Sequence, residues 1–204
     1  LKCRLEDLYP GLNFPAQSTI GEILDRHGMV EERRRSRKCR FVPTGLAGSE
    51  APNEVWCVDF KGQFRLKDGS YCYPLTVTDH FSRFLLGIDA LPDTKLVGAF
   101  ECFEAVFKEY GLPAVIRSDN GTPFASVGVA GLSRLSVWWL RLGIRPERIQ
   151  PGHPEQNGRH ERMHLTLKQE TTRPPAKGQL QQQDRFDGFR GEFNVERPHE
   201  ALAM

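Results

Sequence analysis

Between residues 51 and 119 the hydrophobic pattern changes period twice, and this restricts the fold more than any other feature of the chain. Val55-Trp56-Cys57-Val58-Asp59-Phe60 is rich in β-formers and alternates, with Val55, Cys57 and Asp59 on one face and Trp56, Val58 and Phe60 on the other. Lys67-Asp68-Gly69-Ser70 supplies an Asp-Gly turn between runs at 63–66 and 71–78. A third strand over 84–88 follows the turn-like Asp79-His80-Phe81-Ser82. Pro74 inside the second run predicts a bulge or an exposed edge. The period then becomes helical. Val97, Phe100, Phe103, Val106, Phe107 and Tyr110 recur at helical spacing, with Thr94 as the cap and Gly111 as the stop. Residues 114–119 form a short buried strand closed by Asn120-Gly121. A second helix covers about 132–142, with Leu135, Trp138, Trp139 and Leu142, and an extended stretch over 144–150 leads to a third. The order βββ-α-β-α-(β)-α describes an α/β protein, a mixed sheet with helices packed on it.

Before residue 51 the composition differs. Residues 1–30 predict a small helical unit: Thr19-Ile20-Gly21-Glu22 reads as a capping box, Ile20, Ile23 and Leu24 as an apolar face, and Gly28 as the stop. Such a helix fits the second helix of a helix-turn-helix and equally any helical hairpin. Residues 31–50 have a linker composition, with Pro43, Gly45, Gly48 and Ser49 beside six basic residues in the eight positions 33–40. The net charge of +2 hides that run. Arg33, Arg34, Arg35, Arg37 and Lys38 suit either a solvated linker or contact with a polyanion, nucleic acid above all. The domain boundary falls there, with a core over 51–175 and a C-terminal helical tail over 176–204.

Cysteines at 3, 39, 57, 72 and 102 form no C-x-x-C pair, and their odd number suits buried thiols in a reducing, cytoplasmic setting. No apolar run nears the ~20 residues of a membrane span, and no signal-peptide pattern is present. The chain opens on Leu1 and stops at Met204, which suits a fragment of something longer.

The stretch 152–168 admits two chemistries. His160-Glu161-Arg162-Met163-His164 matches H-E-x-x-H, in which two histidines one helical turn apart hold zinc beside a glutamate base. The same helix can instead deliver Glu161 to a magnesium site whose other ligands are Asp59 and Asp119, each at or near the end of a predicted buried strand. Buried carboxylates without partners are costly, so they pair or bind metal. Mg2+ takes hard oxygen ligands and leaves positions for water and phosphate oxygens. Two such ions about 3.5–4 Å apart serve an in-line displacement. The zinc reading has no third ligand at a recognisable spacing, Glu170 and His199 being unconvincing, and leaves Asp59 and Asp119 unexplained.

V-D-F-K-G at 58–62, S-D-N-G at 118–121 and H-P-E-Q-N-G-R-H-E at 153–161 resemble the Asp-Asp-Glu catalytic core of retroviral-type integrases, and look closest to the integrase-core transposases of bacterial insertion sequences. The likeness extends to 15–28 and to 185–202, which includes Arg197 and His199, so nearly the whole chain is covered. It implies a ribonuclease-H-like mixed sheet with flanking helices, preceded by a partial helix-turn-helix unit. In that fold the first and fourth strands lie side by side, which would bring Asp59 and Asp119 together. The resemblance further implies two Mg2+ or Mn2+ ions held by Asp59, Asp119 and Glu161. It implies DNA, as element ends and target, for a partner, and a homo-oligomer in the synaptic complex. The setting is then a bacterial cytoplasm, at the nucleoid, with no membrane partner.

The spacing usual in such families lands on Glu155 rather than Glu161. The N-G-x-x-E motif nevertheless ends at Glu161, and the stretch 126–133 can absorb the extra residues. Glu155, at the helix entry, has an ordinary role facing the N-terminal dipole. Lys168 shares a helix face with Glu161 and by resemblance contacts DNA-end phosphates; otherwise it is an exposed lysine. Asn120 and Gly121 shape the loop that carries Asp119, and Asn157 and Gly158 form a hinge. Asp79 and Asp89 read as turn and strand-end residues. The implied reaction is metal-dependent phosphoryl transfer without a covalent protein intermediate. Water cuts the element's 3′ end, and the freed 3′-OH attacks a target phosphodiester. Contacts from Lys and Arg to the DNA backbone make binding salt-dependent. The alternative from another class is an inactive, truncated DNA-binding remnant.

Overall fold

The chain divides into two units, Leu1–Lys38 and Cys39–Met204. The structure, a computed structural model, describes residues 5–6, 9–29, 46–150, 153, 156 and 158–195, and at 129, 158, 159 and 161 the backbone alone. Arg33, Arg34, Arg35, Arg37 and Lys38, together with Glu155, Asn157, Arg197 and His199, lie outside the described residues.

In the first unit helix α1 spans Gln17–Arg26. It starts ahead of the expected capping box: Ala16 is the N-cap, with no side-chain cap bond, and Thr19 lies inside the helix. The stop at Gly28 stands. Gly28 takes φ +65°, its N–H donates to the Asp25 carbonyl and the Met29 N–H to that of Leu24, so a left-handed residue satisfies the last carbonyls. Ile20 is buried and Ile23 exposed.

The second unit is built on a six-stranded mixed sheet: β1 Val55–Phe60, β2 Phe64–Arg65, β3 Tyr71–Asp79, β4 Leu85–Leu91, β5 Val115–Ser118 and β6 Arg145–Arg148. Strand β1 lies between β3, antiparallel, and β5, parallel; β6 continues in parallel beyond β5, and β2 and β4 both pair with β3. The helices are α2 Leu96–Tyr110, α3 Arg134–Arg141, α4 Gly158–Thr171 and α5 Gln179–Val195. This is the mixed α/β architecture expected of a ribonuclease-H-like core, with a helical segment before it.

Alternation along the strands divides the sheet into two chemically different faces. Trp56 and Val58 of β1, Leu75 and Val77 of β3 and Ile116 of β5 join Phe103 and Val106 of α2 and Leu135 and Trp139 of α3 in one apolar cluster. On the other, Leu66, Leu85 and Ile88 meet Met163 and Leu167 of α4 and Phe186, Phe189 and Phe193 of α5. Asp59, out of phase with Trp56 and Val58, points away from the first cluster, as the alternation requires.

Local signals were less reliable than periodicity. Helix α2 begins at Leu96 with Lys95 as N-cap and no side-chain cap bond; the Lys95 N–H is taken by Asp93 Oδ1 at 2.8 Å, so Thr94 is not the cap. Gly111 does close it, at φ +85°. Helix α3 has a reciprocal capping box between Ser133 and Ser136. Pro74 pairs opposite Ala90 without a bulge; the register shift is at Val77/Thr78. The ladder with β1 ends at Phe60↔Leu75, and the Pro74 carbonyl takes the Lys61 N–H.

Two further devices complete the body. Helix α5 covers the outer edge of β4 with side-chain amides. Gln183 takes the Ala90 N–H and donates to the Ile88 carbonyl, while Asn194 does both for Leu85. An open strand edge is thereby satisfied by amide groups that imitate a further strand. Between β5 and β6, Arg117 and Glu147 form a buried ion pair at 3.1 Å. Arg117 also donates to the Ala47 carbonyl, and Glu147 takes the Ala47 N–H, so the chain entering the sheet is held at both backbone groups.

Candidate active site

The two aspartates are set by the parallel pairing of β1 and β5. Cys57 is opposite Arg117. The ladder ends there, with Asp59 two residues further along β1 and Asp119 two residues beyond Arg117, just past the end of β5, so both lie toward the carboxyl ends of adjacent strands. That is where open α/β sheets place ligands. Asp59 is a quarter exposed, so it faces solvent without leaving the sheet. Asp119 leaves β5 into a tight turn: its Oδ1 takes the Gly121 N–H at 3.0 Å. A Cβ at Gly121 would stand 3.0 Å from Asp119 Oδ2, so glycine there leaves the carboxylate room. Asn120 donates to the Ile149 carbonyl at 2.8 Å, anchoring the turn to the segment after β6.

Helix α4 packs against β1 and α5. Its buried positions are His160, Met163, His164, Leu167 and Thr171, a stripe at helical spacing, while Lys168 is exposed. Glu161 lies in the first turn of this helix; its side chain is outside the described residues. Among the described residues no three His, Cys, Asp or Glu side chains are grouped to hold a metal ion. Carboxylate oxygens such as those of Asp59 and Asp119 are the hard donors that Mg2+ or Mn2+ prefers.

The two histidines of H-E-x-x-H are buried and turned to the sheet. His160 Nε2 and His164 Nε2 both reach Thr76 Oγ1, at 2.6 and 2.7 Å, and His160 Nδ1 reaches Thr78 Oγ1 at 2.8 Å. The ring nitrogens that a zinc site would need converge on a threonine hydroxyl of β3, so the zinc-hydrolase reading is set aside. Loss of hydration on burial pushes the His160 ring down to about 3 and that of His164 to about 2, the latter helped by His160 and by Lys61. Both rings are therefore neutral near pH 7.

Lys61 and Thr76 went unnoticed in the sequence. Lys61 is close enough for its charge to act on His164. Thr76 and Thr78 had a readable signal, two hydroxyls in phase within an otherwise apolar strand. Asp79 is a turn residue, taking N–H bonds from Asn53 and Ser82 and the Ser82 hydroxyl. Asp89 is raised by burial and hydrogen-bonded to the Cys102 thiol. Cys57, Cys72 and Cys102 are buried thiols outside any disulfide, and burial pushes Cys72 up to about 12. The stretch 126–133 is an ordered excursion: Ala125 bridges Leu132, and Arg148 donates to the carbonyls of Ala130 and Gly131.

A central parallel pair with carboxylates at its ends, three antiparallel strands on one side and helices on both faces define an α/β fold of the integrase kind. The chain belongs to the integrase core domain family, whose sequence pattern matches residues 49–154 and, in a second form, 142–204. It is 29% identical over 185 residues to an uncharacterized 31.7 kDa protein of insertion element IS407 from Burkholderia multivorans, covering 86% of this chain and 61% of that protein. It is 32% identical over 133 residues to the Gag-Pol polyprotein of baboon endogenous virus, covering 65% of this chain and 7% of the polyprotein. The chain thus spans less than two thirds of these relatives. Its fold is similar to that of a chain in the intasome of simian T-cell lymphotropic virus in complex with a PP2A regulatory subunit. The TM-score is 0.54 at 20% identity, covering 78% of this chain and 53% of the other. Among the described residues no helix is long and apolar enough to cross a membrane.

Proposed function

We propose that this chain is a DNA transposase of the Asp-Asp-Glu type, catalysing strand cleavage and strand transfer at the ends of a mobile element. The observation that carries the reading is the pair Asp59 and Asp119 at the carboxyl ends of adjacent parallel strands, beside the helix that bears Glu161. Asp59, Asp119 and Glu161 would hold Mg2+ or Mn2+, as two ions. When bound, such ions supply positive charge against the attacked phosphate and favour the deprotonated form of the attacking hydroxyl.

The chain's own groups bind and orient. The Gly121 N–H holds one oxygen of Asp119 and so limits the rotation of its carboxylate. No side chain acts as nucleophile. Water opens the phosphodiester at the element's 3′ end, and the 3′-OH so released attacks a target phosphodiester. Each step forms one P–O bond and breaks another. Lys168 would contact end-DNA phosphates from the exposed side of α4. Arg33, Arg34, Arg35, Arg37 and Lys38, with the helical unit before them, would add non-specific contacts and make binding fall steeply with salt. Holding two DNA ends together implies a homo-oligomer.

The test is strand transfer by the purified chain with Mn2+ on duplexes carrying the terminal repeats found in the flanking genomic DNA. Joined product is expected from the wild type and none from D59N, D119N or E161Q. Product that persists in D119N would overturn the assignment, and DNA binding without any product would leave only a binding protein.

A further inference from the structure

Buried beneath the proposed metal site is a run of polar side chains with no assigned role. Its links are Thr78 Oγ1 to His160 Nδ1 at 2.8 Å, His160 Nε2 to Thr76 Oγ1 at 2.6 Å, and Thr76 Oγ1 to His164 Nε2 at 2.7 Å. His164 Nδ1 then lies 3.8 Å from Asp59 Oδ2. The run passes from β3 to α4, back to β3, again to α4 and on to β1, and its first four groups are buried.

Counting protons gives it a direction. A neutral imidazole carries one N–H and a hydroxyl one O–H. Four groups therefore bring four protons to four links, the last of which ends on a carboxylate that accepts only. Every link is served in one arrangement. Thr78 donates to His160 Nδ1, His160 Nε2 donates to Thr76, Thr76 donates to His164 Nε2, and the His164 Nδ1–H points at Asp59. The competing acceptors are more distant: the Cys57 carbonyl is 3.5 Å from Thr78 Oγ1, and the Asp59 carbonyl is 3.1 Å from Thr76 Oγ1. With the opposite order a bare His164 Nδ1 would face the carboxylate, and two electron-rich atoms would repel. At 3.8 Å the last link is too long for a hydrogen bond and is a contact between a ring N–H dipole and the carboxylate.

The same groups set the rotation of α4. In an ideal helix, position 161 lies about 100° round from position 160 and about 60° from position 164. Two rings fastened to one hydroxyl leave the backbone at 161 little freedom to turn.

We infer that Thr78, His160, Thr76 and His164 are positioning residues, an oriented chain of hydrogen bonds that aims the Asp59 carboxylate and fixes the rotational setting of Glu161. This rests on the reading of Asp59 and Glu161 as metal ligands. Groups of this kind behind a metal ligand typically change affinity by about 10–100-fold when removed.

The first arm is independent of metal. Long-range proton–nitrogen NMR on the metal-free, histidine-labelled full chain reads each tautomer. His160 should carry its proton on Nε2 and His164 on Nδ1; a His164 protonated on Nε2 overturns the inference. The second arm measures Mn2+ binding by electron paramagnetic resonance. T76V should weaken it about 10–100-fold, while T76S, which keeps the hydroxyl, should stay near wild type. Unchanged affinity in a folded T76V also overturns the inference, and if T76V does not fold, the tautomers decide. D59N judges the underlying reading separately: Mn2+ binding that survives D59N defeats the metal assignment, and the tautomer arm still tests the chain.

Discussion

The two faces of the sheet are held by different physics. On the α2–α3 face the contacts are apolar and dense with aromatics. Phe103 and Trp139 meet edge-on with centroids 5.0 Å apart, Phe100 stacks on Trp138 at 3.9 Å, and Trp56 lies against Phe107. The α4–α5 face has its own phenylalanine cluster, but next to it the strands present hydroxyls and a carboxylate to two buried imidazoles. Aromatic packing tolerates small rotations, whereas a hydrogen-bonded network is satisfied in one geometry and costly in others. The proposed site, which would hold three carboxylates in one arrangement, would gain from the second kind of contact.

The comparison is open to attack in four ways. The largest effect is expected on the apolar face. Phe103→Ala should cost about 3–5 kcal/mol, read by denaturant unfolding, because a fully buried ring leaves a cavity that its neighbours cannot fill. A loss below about 1 kcal/mol would mean that the packing there is loose.

Acid should find the other face. The His160 and His164 rings have folded values of about 3 and about 2, below the ordinary value near 6.5. Below that ordinary value the unfolded chain binds more protons than the folded one, so stability present above it is lost as pH falls towards the folded values. The slope is roughly 1.4 kcal/mol per pH unit for each ring. Urea unfolding between pH 7 and pH 5.5 should show it, and H160Q/H164Q should flatten it; an equal slope in that variant would place the acid sensitivity elsewhere.

Smaller effects belong to the edges. Gln183→Leu removes the amide that serves Ala90 and Ile88, and should cost about 1–3 kcal/mol through unpaired backbone groups. It should also raise aggregation by reopening the β4 edge, seen by light scattering. The smallest is Lys168→Ala. It should leave stability unchanged and lower the slope of log binding constant against log salt by about 0.9 on duplex DNA. An unaltered slope would remove Lys168 from the DNA contact.

Much of this was legible in the chain because periodicity is a property of many residues at once. The alternation in Val55–Phe60 placed Asp59 opposite Trp56 and Val58, and the helical spacing of Phe103 and Val106 named the α2 core. Glycine stops at 28 and 111 were readable because a left-handed backbone suits glycine better than other residues. Start signals failed at Thr19 and Thr94 for the opposite reason. A cap is one hydrogen bond, and the chain instead turns into the helix at Lys95, whose N–H is held by Asp93.

H-E-x-x-H shows the limit most plainly. As a string it gave two ligands to zinc, and only the neighbourhood of Thr76 showed where those nitrogens are used. Residues 176–195, set apart in sequence as a tail, supply Phe186, Phe189 and Phe193 to the second cluster and seal β4. Nothing local to either partner encodes such contacts.

By itself, the order of residues determined the strand and helix periods, the face on which Asp59 stands, and the three motifs that carry the family likeness, since each depends on neighbours along the chain. The tertiary structure decided that β1 and β5 adjoin, with Asp59 near the end of β1 and Asp119 just past the end of β5, and that two histidines turn their ring nitrogens to a threonine. Those outcomes depend on groups up to 88 positions apart meeting at hydrogen-bond distance, which only the closed packing of the sheet and its helices can arrange.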